Sequence, residues 1–208
     1  MDKALKETAR KGMRNINEAR WKLKTDEDSR DVPVQSNATQ EPSKRRLHAS
    51  GDAMQNHYMK RAIELAIANV QQGQGGPFAA LIVKGKKILA EGTNQVTSTN
   101  DPTAHAEVVA IRAACRVLSH FQLTGCDIYT SCEPCPMCLG AIYWARPERI
   151  YFASTRSDAA EAGFDDSMIY EQIALRPEQR QVPMTQLMRE EALEAFRVWE
   201  KKTDRVRY

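Results

Sequence analysis

Apolar residues recur at helical spacing at Met59, Ile63, Ala66, Ile67 and Val70, and Gly73 supplies a stop. The spacing predicts a helix with order beginning near His57. A nearly continuous apolar run over residues 78–83 follows, as in a strand buried on both faces. Lys84-Gly85-Lys86 turns the chain into a second strand over residues 88–90. Asp101-Pro102-Thr103 introduces a helix whose core stripe is Val108, Ile111, Cys115 and Leu118. A third strand is expected over residues 127–130. Cys135 reads as the cap of a further helix, with Pro136 at the first position, where its missing N–H costs nothing. Residues 149–153 predict a fourth strand and 182–187 a fifth. A last helix over 190–201 carries Leu193, Phe196 and Trp199. Strands alternating with helices imply an α/β layered sheet with helices packed on it.

The first fifty residues depart from this pattern. Residues 3–24 could form a charged helix with only a thin apolar stripe, and residues 25–50 read as linker, rich in Asp, Ser, Gln, Pro and Arg. The expected division is a flexible charged leader over 1–55 and one domain over 56–208. Residues 1–50 hold 12 basic and 8 acidic residues, whereas the rest hold 18 and 19, a net charge of −1. The domain therefore lacks the basic footprint of a nucleic-acid binder. No apolar run approaches the ~18 residues of a membrane span. No apolar stretch follows Met1 as in a secretory signal, and Asp2, Glu7 and Glu18 fit a transit peptide poorly. A cytoplasmic protein is expected. Of five cysteines, three fall within residues 132–138, which favours metal binding in a reducing compartment over disulfides.

Chemistry concentrates in two motifs, His105-Ala106-Glu107 and Pro134-Cys135-Pro136-Met137-Cys138. Cys135 and Cys138 are three apart and share a helix face. In a first helical turn the dipole favours their thiolates, which zinc requires. His105 and Glu107 are two apart and cannot share a helix side. They converge on one ion only if the site lies across the helix end, with two helix N-termini aimed at it. Three protein ligands leave a fourth zinc position open, and bound zinc brings the pKa of water toward ~7. Glu107 then acts as a proton shuttle rather than a ligand. The pair matches the His-x-Glu and Pro-Cys-x-x-Cys signature of zinc nucleobase deaminases. Cys132 extends the run to Cys-x₂-Cys-x₂-Cys, the opening of a bacterial ferredoxin motif, but Leu139-Gly140-Ala141-Ile142 follows where a fourth Cys and Pro belong. A closed Cys₃His structural site is the other alternative, and it would give Glu107 no task. We read Cys132 as a small core residue, and Cys115 and Cys126 as buried.

From about His57 to Tyr208 the sequence resembles bacterial guanine deaminases of the cytidine-deaminase fold. The resemblance rests on Gly75-Gly76-Pro77-Phe78, on residues 100–107 and 129–147, and on residues 158–166, which include Gly163-Phe164-Asp165-Asp166. It implies a three-layer α-β-α fold with a central mixed five-stranded sheet. It implies a homodimer with a swapped C-terminal segment, one zinc per subunit, and hydrolytic conversion of guanine to xanthine and ammonia in purine metabolism. At matching positions it implies that Asn94 hydrogen-bonds the purine, Phe78 packs on its ring and the Ala106 backbone touches it. Asp166 and Tyr208 would approach the amino side. Read from the residues alone, Asn94 could form a turn, Phe78 could be core, Asp166 could cap a helix and Tyr208 could be a frayed end. Rival functions are a guanosine deaminase, a tRNA adenosine deaminase and a non-catalytic zinc module.

Overall fold

The computed structural model describes residues 42–207. The expected helix over 3–24 and the terminal Tyr208 lie outside the described residues. Helix α1 spans Pro42–Gln71, so it begins upstream of His57. A hairpin of β1 (Ala79–Lys84) and β2 (Lys87–Thr93) follows, then a single turn α2 (Val96–Thr99) and α3 (Ala106–Leu118). Next come β3 (Cys126–Cys132), α4 (Pro136–Ala145), β4 (Arg149–Ser154), α5 (Arg156–Glu161), α6 (Ser167–Ala174), a 3₁₀ turn at Pro177–Gln179 and α7 (Arg189–Lys201).

The sheet runs β2-β1-β3-β4. β1 pairs antiparallel with β2 and β3, and β3 pairs parallel with β4 across α4. The alternation along β1 divides two cores. Ala80 and Ile82 face α3 and α4, with Ala110, Ala114, Ile128 and Ile142. Leu81 and Val83 face α1, with Tyr58, Ala62 and Tyr129. This is the expected mixed sheet between helical layers, with one correction: among the described residues it has four strands, not five. Residues 182–187 form no strand, and Val182, Met184 and Leu187 are exposed. Pro183 removes a ladder donor from that run, which suits a strand poorly.

The stripe predicted on α1 is also rotated. The buried face carries Tyr58, Ala62, Ala66 and Asn69, while Ile63, Ile67 and Val70 are exposed. On α3, Ala106, Ala110 and Ala114 make the closest approach, four apart on one face, and the larger Ile111, Cys115 and Leu118 flank them. Gly92 of β2 makes that approach possible. A Cβ there would sit 2.4 Å from the Ala106 carbonyl oxygen and 2.5 Å from the Ala110 nitrogen. The contact fixes the N-terminus of α3 over the sheet. Among the described residues no helix is long and apolar enough to cross a membrane.

Candidate active site

Two helix N-termini meet beyond the ends of β1 and β3. His105 is the N-cap of α3, and Cys135 is the N-cap of α4 with Pro136 next to it. His105 Nδ1 lies 3.5 Å from both Cys135 Sγ and Cys138 Sγ. The three candidate ligand atoms all lie within 4.8 Å of one another. Two sulfurs and one imidazole nitrogen are a donor set that suits zinc. The three donors are also hydrogen-bonded to one another, and each shifts its neighbour's titration. Cys135 is held down to about 4, chiefly by a hydrogen bond with Cys138. Cys138 is pushed up by the same bond and by burial. His105 is raised chiefly by its hydrogen bond with Cys135.

Glu107 is 6% exposed and stands beside this triplet. Thr130 Oγ1 donates to Glu107 Oε1 at 3.1 Å, and Cys138 Sγ donates to Oε2 at 3.4 Å. Burial, the largest influence, raises this carboxyl above its ordinary range. A carboxyl poised to hold a proton is what general acid–base work requires.

A cavity of about 430 Å³ opens on these groups, lined by Phe78, Asn94, His105, Glu107, Cys135 and Asp166. That volume suits a small-molecule ligand. Phe78 makes an edge-to-face contact with Phe164, ring centroids 4.9 Å apart. Asn94 Oδ1 accepts from the Gly76 and Val96 N–H groups at 3.2 and 3.3 Å, which leaves its Nδ2 on offer to a ligand. Ala106 does not line the cavity. Its carbonyl packs against Gly92, and its N–H sits at the first helical position, where no intrahelical partner exists. Of the two acids before α6 only one caps it. Asp165 accepts from the Ser167 N–H at 2.9 Å, while the Asp166 side chain makes no capping bond. Burial raises the Asp166 carboxyl, with the charge of Cys135 next in effect.

Cys132 stays apart from the triplet. Its buried thiol donates to the Thr155 carbonyl at 3.6 Å. Three residues at or beside the site had no role in the sequence reading, Thr130, Glu133 and Asn69, and Phe164 figured there only within the run 163–166. Glu133 accepts from the Arg156 N–H at 3.1 Å and so ties the α4 loop to α5. Neither Thr130, inside β3, nor Asn69, off the stripe predicted for α1, carried a local sequence signal.

Residues 52–154 match the cytidine and deoxycytidylate deaminase zinc-binding region. A guanine deaminase of Bacillus subtilis is 55% identical over 155 residues, which cover 74% of this chain and 99% of that protein. This chain belongs to the cytidine and deoxycytidylate deaminase family. Within that family, a tRNA-specific adenosine deaminase of Buchnera aphidicola is 36% identical over 109 residues, covering 52% of this chain and 72% of the other. The X-ray structure of the guanine deaminase from Bacillus subtilis superposes with a TM-score of 0.72 at 54% identity, covering 74% of this chain and 98% of that one. The deaminase family's zinc and the donor set found here agree.

Proposed function

We propose that this chain is a zinc-dependent hydrolase that converts guanine to xanthine and ammonia. The observation that carries the reading is the buried Glu107 carboxylate beside the His105, Cys135 and Cys138 donors, in a chain of which 74% matches a guanine deaminase over 99% of that protein's length. Zinc bound there would supply Lewis acidity and bring a water proton within reach of a carboxylate at neutral pH. Cys138 has no proton to give as a thiolate ligand, so Glu107 Oε2 is then free to work. Thr130 keeps Oε1 in place. Glu107 would take one water proton as the oxygen bonds to the amine-bearing carbon and pass it to the ring nitrogen. It would then move the second proton from that oxygen to the amine as the C–N bond breaks and ammonia leaves. Phe78 packs on the purine, the Asn94 Nδ2 reads its edge, and Asp166 receives the amino side, whereas Ala106, fully buried and outside the cavity lining, has no part in this reading. Adenine lacks guanine's carbonyl and ring N–H, so it would leave these polar groups unpaired.

A homodimer whose C-terminal segment closes the neighbouring pocket completes the reading. Its support is apolar surface that one chain leaves uncovered. Leu187 is 78% and Phe196 65% exposed. A groove of about 530 Å³ is lined by Ile63, Ala66, Ile67, Val70, Pro77 and Ala153. Apolar patches of this kind mark association surfaces. Thiolate ligands fit a reducing, cytoplasmic setting.

The test is ammonia release from guanine, guanosine, adenine and cytosine by the zinc-loaded protein. Turnover of guanine well above the other three is expected. Preference for guanosine, or release from none with zinc present, would overturn the assignment.

A further inference from the structure

Asn69 is an amide buried inside a helix, where the flanking core positions Ala62 and Ala66 are apolar. Its own exposure is 4%. Burying such a group is costly unless its hydrogen bonds are made, and those it makes are specific. Nδ2 donates to the Gly76 carbonyl and to the Asn94 carbonyl, each at 2.9 Å. The Gly76 N–H in turn donates to Asn94 Oδ1 at 3.2 Å. These three bonds close a ring from Asn69 to Gly76, to the Asn94 side chain, and through the Asn94 backbone to Asn69. The ring is tight. A Cβ on Gly75 would lie 2.2 Å from the Asn94 carbonyl oxygen.

We propose that Asn69 is a positioning residue that sets which end of the Asn94 amide faces the substrate. The inference rests on Asn94 reading the purine. Asn69 fixes the Gly76 peptide, the Gly76 N–H holds Asn94 Oδ1, and Nδ2 is thereby presented to the cavity as a donor. Without Asn69 the Gly76 carbonyl keeps its bond from the Phe78 N–H at 2.8 Å and Asn94 Oδ1 keeps the Val96 N–H at 3.3 Å, but the two Nδ2 bonds that tie Gly76 to the Asn94 backbone are lost and the ring opens. The Asn94 amide can then turn over and offer an acceptor where a donor is needed. Asn69 touches neither substrate nor the metal donors, so its loss acts on recognition and not on proton transfer.

Two variants of similar size remove the donor, Asn69→Leu and Asn69→Asp. In whichever folds with full zinc content, KM for guanine should rise ~10-fold while kcat changes little, the mark of lost binding and not of lost chemistry. In an Asn94→Ala background the same change should add nothing further, because the two residues act in one chain of contacts. A fall in kcat with unchanged KM, or effects that multiply in the double variant, would overturn the proposal. A second readout does not depend on activity. The Asn94 side-chain amide resonances of the zinc-loaded protein should be distinct in the wild type and averaged or shifted in the Asn69 variant. Unchanged resonances would overturn it even if guanine proved not to be the substrate. Failure of the wild type to turn over guanine strikes the functional reading instead.

Discussion

Glu107 and the thiols beside it are arranged so that each proton has one natural place. In the metal-free protein the hydrogen bond between the two thiols holds Cys135 down to about 4 and, with burial, raises Cys138. Thiolates are the reactive form. Alkylation of the chelator-treated protein at pH 7 should therefore modify Cys135 first, and zinc should protect it; peptide mass spectrometry that found Cys138 or Cys132 ahead would contradict this order. The ligand assignment makes a separate forecast. Cys132 donates to Thr155 and stands outside the donor set, so Cys132→Ser should keep one zinc per chain. Cys138→Ala should lose the metal and the activity. Metal analysis of the purified variants decides, and loss of zinc from Cys132→Ser would refute the three-ligand site.

Placement of the site depends on two helix ends, and α3 is set by a glycine in the neighbouring strand. Gly92→Ala would push a methyl carbon into the Ala106 and Ala110 backbone, which cannot yield as a flexible side chain can. Overpacking of this sort costs ~1–3 kcal/mol. The variant should melt earlier and bind zinc more weakly, since His105 and Glu107 ride on that end. Gly140 on α4 is the control. It has open space around it, and alanine there should be neutral or stabilising by ~1 kcal/mol. A Gly92→Ala protein with wild-type melting and zinc content would count against the close packing.

At this scale the sequence was legible where pattern and packing agree. The buried run gave β1, and Pro136 with Cys135 gave the start of α4. It was misleading on α1, because Ile63, Ile67 and Val70 are as apolar as any core stripe yet lie on a surface one chain does not cover. It was misleading at 182–187 because Pro183 removes a ladder donor from that run. The His-Cys-Cys triplet was readable from spacing because both motifs sit at helix ends. Thr130 and Asn69 were not, since each acts on a partner distant in sequence, 23 residues for Thr130 and 25 from Asn69 to Asn94.

For the whole molecule the open question is what covers the apolar surface of α1 and the C-terminal helices. Our reading gives that task to a second copy of the chain. Two inactive proteins test it: a chain truncated after Thr203, and the full-length Glu107→Ala variant. If tails cross, a mixed dimer holds one complete site, with the truncated chain's Glu107 covered by its partner's tail. Activity should return on subunit exchange. Persistent inactivity in demonstrated mixed dimers would rule out the crossing. The domain division makes a milder forecast. Removal of residues 1–41, which precede α1, should leave guanine turnover within ~2-fold, since their polar, linker-like composition offers little apolar surface to a core. A large loss would show that they belong to the working domain.

The most direct test of the central claim is the rate of xanthine formation from guanine by Glu107→Gln protein carrying one zinc per chain. Gln keeps the size of the side chain and its bond with Thr130 but cannot carry the proton. The account predicts a folded, zinc-loaded protein slowed at least ~10²-fold, the usual worth of a positioned acid–base group. Turnover near the wild-type rate would contradict it.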